Sequence, residues 1–277
     1  MRKFQPSAHL AGALAVVAIL AAGCGGAGAS PEAPRQAIAL AAATSQRLTS
    51  FTATETVTLS RPGPAVGRFG MSMRLAMQLK PTLLASADAT MTGAGHRFSI
   101  REIVTRHAIY MNVGALGAFL HTRQAKPWVE ISLAKLAGRT GFAAMFKKLG
   151  QGQLASNPLG NARFFAAATH LRRVGASVVD GVPTTEYSGV LKPSALVKFL
   201  PAAQRAAFGT AVRMFGHSSM PFEVWIDGQH HIRMLTMRLS AMSMSMLVKV
   251  KITSVNKPVT IKLPPASQVT IMRIPRF

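Results

Sequence analysis

The sequence predicts an α+β fold with one antiparallel β-sheet and helices on one of its faces. Two observations lead to this prediction. Segments in which apolar and polar residues alternate with a period of two lie before and after the middle of the chain. Segments with apolar residues at helical spacing form a block between them. Runs of strands that flank a helical block favour one antiparallel sheet over alternating strand–helix units.

The folded domain is predicted to begin with a helix that is followed by strands. Apolar residues at helical spacing, among them Ile38 and Leu48, predict a helix over 36–48. From Phe51 the period changes to two, and threonines alternate with Val57 and other apolar residues, which favours a strand. The strands predicted in this part of the chain are 51–59, 69–79, 83–92, 96–105, 107–113 and 128–131.

The middle of the chain changes to helical spacing, and the last third returns to strand. The predicted helices are 133–149, 161–174 and 193–215. The segment 177–191, between the last two helices, is predicted to be a hairpin because Asp180 and Gly181 form a turn signal inside it. The final predicted strands are 222–226, 232–239 and 242–254, and a turn at Asp227 and Gly228 joins the first two.

Two of the predicted strands carry apolar faces rich in methionine, an unbranched and polarizable residue that adapts to irregular spaces and varied ligands. The residues predicted to line a lipid cavity are Phe69, Met71, Met73, Leu75, Met77, Met242, Met244, Met246, Val248 and Val250. Three interpretations stay open: a core packed against the helices, a deformable cavity for an acyl chain or another lipid, and a copper site. Thioethers select Cu(I), but such a site also needs histidines, and His230 and His231 are predicted on an exposed hairpin.

The N-terminus has the layout of a bacterial secretory signal peptide that ends at a cysteine. Arg2 and Lys3 are followed by an apolar run over 10–22, which is shorter than the roughly 20 residues that a membrane span needs. The segment resembles a lipobox, with Ala21 where that pattern prefers leucine, and Cys24 is the only cysteine. We therefore expect Cys24 to carry a lipid that anchors the protein to the outer, extracytoplasmic face of the cell membrane. Ordinary secretion with a free thiol is the alternative.

The sequence thus predicts three parts: a signal peptide over 1–23, a lipidated flexible tether over 24–35, and a folded domain over 36–277. The net charge is +23, and removal of the signal peptide lowers it to +21 because Arg2 and Lys3 are lost with it. Anionic lipid headgroups or wall polymers are the expected counter-charge, since export argues against nucleic acid as a partner. A solvated surface in an arginine-rich proteome is the alternative explanation.

The motifs of common enzymes are absent from the sequence. It contains neither a Gly-x-Ser-x-Gly elbow nor a His-Glu-x-x-His helix. The nine acidic residues are scattered, and the eight histidines have no ligand spacing. We therefore expect a protein that is not an enzyme, with no catalytic residues, no metal site and no cofactor.

Several phrases of the sequence, taken in order, resemble the LppX/LprG group of actinobacterial envelope lipoproteins. These phrases are 128–131 (WVEI), 179–189 (VDGVPTTEYSG), 200–205 (LPAAQR), 220–228 (MPFEVWIDG) with 232–234 (IRM), and 256–261 (NKPVTI) with Pro264 and Pro265. The resemblance extends over about residues 36–270, and the high positive charge and methionine content depart from the pattern of the group.

The resemblance implies a half-barrel of antiparallel strands wrapped around helices, similar to the lipoprotein carriers of the LolA type. An apolar cavity lies between sheet and helices in such proteins. It implies further that the protein binds a lipid or lipoglycan and carries it within the cell envelope without catalytic residues. The alternative is a sensor or interaction lipoprotein of the same fold that is packed solid and binds an envelope protein.

Overall fold

The computed structural model describes residues 32–60, 69–93, 96–112, 114, 126–133, 165, 167–197, 205, 219–241 and 244–272. These residues form mainly strands. In chain order the elements are α1 (Pro34–Arg47), β1 (Ser50–Ser60), β2 (Phe69–Gln78), β3 (Leu84–Gly93), β4 (His96–Thr105), β5 (Ala108–Asn112), β6 (Trp128–Ser132), β7 (Thr169–Val179), β8 (Val182–Leu191), α2 (Pro193–Leu196), β9 (Met220–Asp227), β10 (Ile232–Ala241), β11 (Met244–Val255) and β12 (Val269–Ile271).

All twelve strands belong to one open, curved sheet in the order β12-β6-β5-β4-β3-β2-β1-β11-β10-β9-β8-β7. The first strand of the chain lies near the middle of the sheet, with β2 on one side and β11 on the other. The single curved sheet confirms the sheet part of the predicted fold. Its purely antiparallel character needs one correction, because β12 pairs with β6 in parallel.

The alternation of side chains in β2 explains why this segment forms a strand with two different faces. Met71 and Met73 are half-buried, whereas Ser72 and Arg74, which point the other way, are exposed. Towards the end of the strand, Met77 is fully buried. One face of the strand therefore packs towards the core, and the other meets solvent.

Helix α1 adds its apolar side to the core of the domain. It begins at Pro34, two residues before the predicted start, and a proline suits the first turn because its missing N–H would have no partner there. Ala37, Ile38 and Ala41 are buried in one cluster with residues of the sheet. Among the described residues, no helix has the length and apolarity to cross a membrane.

Strand β7 contradicts the second half of the helix predicted over 161–174. It begins at Thr169, and its pairing with β8 shifts register twice, between Thr169 and Arg172 and between Arg173 and Gly175. Each bulge inserts a residue and reverses the alternation, so the period of two is lost from the sequence. The helix predicted over 133–149 and most of that over 193–215 lie outside the described residues, and α2 is the described start of the latter.

The turn between β9 and β10 is organised by one buried carboxylate. Asp227 accepts hydrogen bonds from the backbone N–H groups of Gln229 and His231, each at 2.9 Å, and from Arg233 Nε at 2.7 Å. Burial acts to raise the pKa of Asp227, but these hydrogen bonds and the charge of Arg233 outweigh it and lower the pKa. The side chain of His231 is only 13% exposed, which corrects the prediction that the histidine pair lies on an exposed hairpin.

Candidate functional site

One face of the sheet, here called the apolar face, joins the two methionine-rich segments that lie far apart in the sequence. Val57 of β1 pairs with Met71 of β2 on one side and with Val248 of β11 on the other. Since residues that pair directly across strands point to the same side of a sheet, both segments line one surface with β1 between them. The sequence predicted the two apolar faces, but it did not predict that their strands would flank the same strand, β1.

The predicted lining residues differ in how deeply they are buried. Leu75 and Met77 are buried, Met244 is 46% exposed, and Met242 lies outside the described residues. The half-buried members are Phe69, Met71, Met73, Met246, Val248 and Val250.

Burial divides the apolar face into two ends. At the closed end, defined by Phe51, Ala53, Leu75, Met77 and Ile252, every side chain is buried in the cluster that also contains α1. At the open end, defined by Val57, Leu59, Met71, Met73 and Val248, every side chain is half-buried. The open end is thus an adaptable apolar surface on which methionine thioethers can adjust to an apolar ligand.

Two carboxyl groups lie on this apolar face, and the sequence analysis assigned them no role. Glu55 pairs with Met73 and Val250, and Glu102 pairs with Ala87 and Met111. Burial raises the pKa of both carboxyl groups. One signal in the sequence could have identified them: each glutamate occupies a position at which the alternation of its strand otherwise has an apolar residue.

A pocket of about 360 Å³ lies on the opposite, polar face of the sheet, near strand β7. Its lining consists of His170, Arg172, Ser188, Gly189, Val190, Pro221, Phe222, Glu223, Thr236 and Arg238. Arg172 Nε donates to Ser188 Oγ at 2.8 Å, and Thr236 Oγ1 donates to Glu223 Oε2 at 2.8 Å. The predicted cavity was expected on the helix side of the sheet, so this pocket is a different feature. The cavity and the helix block therefore remain predictions.

The described residues contain no group of three histidine, cysteine, aspartate or glutamate side chains that could hold a metal ion. Cys24, the predicted anchor, lies outside the described residues, as does most of the predicted tether. Besides thioethers, hydrocarbon side chains and two carboxyl groups, the apolar face carries the buried Tyr187, which pairs with Val224.

Comparisons with known proteins return a limited set of likenesses. No family model matches the chain. An uncharacterized 31.2 kDa protein encoded in the rplA–rplJ intergenic region of Streptomyces griseus is 29% identical over 140 residues, which are 48% of this chain. The match spans 44% of that protein, less than half of its length.

Solved structures with a similar course of the chain include two mycobacterial proteins. LprF from Mycobacterium bovis is 14% identical with a TM-score of 0.47, and the match covers 83% of this chain and 96% of that one. The lipoprotein LppX from Mycobacterium tuberculosis is 18% identical with a TM-score of 0.44, covering 83% and 98%. A LolA superfamily protein from Nitrosomonas europaea follows at 9% identity and a TM-score of 0.31, covering 84% and 96%.

Proposed function

We propose that this chain is a non-catalytic, extracytoplasmic lipoprotein that binds an acyl chain of a lipid or lipoglycan and carries it within the cell envelope. The observation that carries this proposal is the open end of the apolar face, where Met71, Met73 and their neighbours are half-buried. Apolar area removed from water contributes about 25 cal/mol per Å². A hydrocarbon chain laid along this surface would therefore be held without specific polar contacts.

Methionine supports a carrier better than a receptor for one fixed ligand. Its three rotatable side-chain bonds let the same surface fit chains of different length and branching. Because β1 separates the methionine strands, a bound chain would contact β2, β1 and β11 together. The proposed lining set is the one that the sequence predicts, with Met242 included as an untested member.

The anchor and the tether complete the proposal. Lipidated Cys24 would hold the protein at the outer face of the membrane, and residues 25–35 would give the domain reach. The excess of basic residues, with a net charge of +23, would draw the domain towards anionic headgroups or wall polymers.

Extraction of the purified protein tests the proposal directly. Full-length protein with Cys24→Ser, which carries no lipid of its own, is purified without detergent and extracted with organic solvent for mass spectrometry. A stoichiometric phospholipid or glycolipid would support the carrier. A lipid-free protein that also fails to take up a neutral fluorescent lipid would contradict it.

A matched pair of variants locates the binding surface. Met71→Asp places a charge on the apolar face, whereas Ser72→Asp places the same charge on the polar face of the same strand. We expect the first to abolish uptake of the neutral fluorescent lipid and the second to retain it, because only the first desolvates a charge beside the chain. Equal effects of the two variants would argue against binding on the apolar face.

The second candidate is a sensor or interaction lipoprotein of the same fold that binds an envelope protein. The closed end favours it, since Phe51 and Met77 show that this face can be packed solid. If the open end is also filled in solution, the protein will melt cooperatively without lipid and will not take up the neutral fluorescent lipid.

A further inference from the structure

Glu55 occupies a place on the apolar face where each surrounding position holds an apolar residue. Its cross-strand partners are Met73 on β2 and Val250 on β11. Its neighbours on the same side of its own strand are Ala53 and Val57. Among the described residues, this surface therefore offers the carboxyl group no hydrogen-bond donor.

Glu102 repeats this arrangement three strands away on the same face. It pairs with Ala87 on β3 and Met111 on β5, and Ile100 and Val104 flank it along β4. Within the described residues, neither Glu102 nor Glu55 has a hydrogen-bond or ion-pair partner. Two independent strands thus place an unpaired carboxyl group on the same apolar face, Glu55 beside the open end and Glu102 three strands away from it.

The lack of a partner is not a shortage of cations, because the chain has 32 basic residues against nine acids. Three of the other described acids form ion pairs: Asp88 with Arg101, Asp180 with Lys251, and Asp227 with Arg233. A buried carboxylate without a partner costs several kcal/mol of desolvation, and even partial burial is unfavourable. A partner from outside the chain would offset that cost.

We propose that Glu55 and Glu102 select a ligand whose polar group donates hydrogen bonds, that is, a hydroxyl or an ammonium group beside an apolar chain. This inference rests on the proposed function and names the chemistry of its ligand. An anionic phosphate or carboxylate at the same depth would be repelled by the glutamates, whereas a donor would form charge-assisted hydrogen bonds with them. Such bonds favour a donor over an anion by about tenfold or more.

The test compares three amphiphiles of one chain length: dodecylamine, dodecanol and laurate. Each competes with a neutral fluorescent lipid for full-length Cys24→Ser protein, and melting curves confirm that the protein stays folded. We expect the amine and the alcohol to bind at least about tenfold more tightly than laurate. The amine and the alcohol arms show whether charge or hydrogen bonding alone makes the selection.

Variants assign the preference to the two glutamates. In Glu55→Gln with Glu102→Gln, which keeps the shape of both side chains, the preference over laurate should disappear while binding itself remains. Glu186→Gln removes a carboxylate from the polar face and should keep the full preference. Single variants show which glutamate contributes more.

The possible results separate this inference from the proposed function. Binding of all three amphiphiles with equal affinity would overturn the inference and leave the lipid carrier standing. A preference that survives in the double variant, or that Glu186→Gln also removes, would overturn it as well. If none of the three displaces the fluorescent lipid and that lipid itself fails to bind, the proposed function fails and the inference fails with it.

Discussion

The closed and open ends of the apolar face share their strands and their alternation, but they differ in burial. Phe51 and Met77 at the closed end are fully buried, whereas Leu59 and Met71 in the same two strands are half-buried. The two ends are paired in one continuous register between β1 and β2, without a bulge. Along β1 and β2 the difference in burial therefore arises from what packs on these strands and not from their pairing.

This comparison shows that one strand can be packed into the core at one end and keep apolar side chains partly exposed at the other. A buried apolar side chain contributes about 1.5 to 3 kcal/mol to folding, whereas a half-buried one still has apolar area that a ligand could cover. If the proposed function is right, Leu59, Met71 and Val248 are the residues at which contact with a lipid would remove most apolar area from water. The following predictions test whether the two ends are in fact distinct.

The largest expected effect comes from deletion of a side chain at the closed end. Phe51→Ala should lower the free energy of unfolding by about 3 to 5 kcal/mol, because it leaves a cavity in a fully packed cluster. Leu59→Ala, eight residues further along the same strand face, should cost about 1 kcal/mol and should weaken uptake of the neutral fluorescent lipid. Urea denaturation measures the loss of unfolding free energy in both variants. Losses of equal size would contradict the distinction between the closed and the open end.

The next effect concerns the carboxylate of Asp227, which unlike Glu55 has its partners within the chain. Asp227→Asn should lower the free energy of unfolding by about 2 to 3 kcal/mol at neutral pH, because it removes the negative charge to which Arg233 and two backbone N–H groups donate hydrogen bonds. Since the pKa of Asp227 is lowered on folding, its contribution is present above the unfolded pKa and is lost as pH falls through the folded pKa. Denaturation of wild type and variant across acid pH measures this, and a constant difference at all pH values would contradict it.

A glycine variant tests how tightly the packed part of the sheet is filled. A Cβ atom at Gly189 would lie 2.7 Å from Leu171 Cδ2 and 2.8 Å from the ring of the buried Phe222. Gly189→Ala should therefore cost about 1 to 3 kcal/mol. At Gly175 nothing lies within 4 Å of the added atom, so Gly175→Ala should be neutral or slightly stabilising. Similar melting temperatures for the two variants would show that the side chains around Phe222 can shift to accommodate the added methyl group.

The sequence predicted those parts of the fold that a local period determines. Strand β2 was predicted from Phe69 onwards because its alternation is unbroken, and it ends within one residue of the prediction. Strand β7 was mistaken for helix because its two bulges hide the alternation. Strand β12 was missed because three residues are too few for a period to appear.

The candidate site was predictable only in part, and for a related reason. Alternation identifies the apolar face of each strand, but it does not say which strands pair. The pairing of Val57 with Val248 places the first strand of the chain beside β11, the second-last, which local alternation does not reveal. Nor does it distinguish the closed end from the open end, since burial depends on elements packed from elsewhere. Glu55 and Glu102 interrupt the apolar pattern, and only the register shows that they face the same surface.

The smallest expected effect lies at Glu55, where the closed end gives way to the open one. Burial raises the pKa of Glu55, so the folded state binds its proton more readily than the unfolded state. The stability contributed by the protonated group is present below the unfolded pKa and is lost as pH rises through the folded pKa. At neutral pH, Glu55→Gln removes this unfavourable charge and should stabilise the free protein by up to about 1 kcal/mol.

Chemical denaturation at neutral and acid pH checks this prediction, with Glu186→Gln as a control for the change in net charge. The gain should appear at neutral pH, vanish at acid pH where the wild-type carboxyl group is protonated, and be absent in the control. Saturation with dodecylamine should then reverse the order, because only the wild-type carboxylate gains the ammonium partner. A variant that is less stable than wild type without ligand would mean that Glu55 is already satisfied within the chain, and the boundary between the two ends would have to be drawn beyond it.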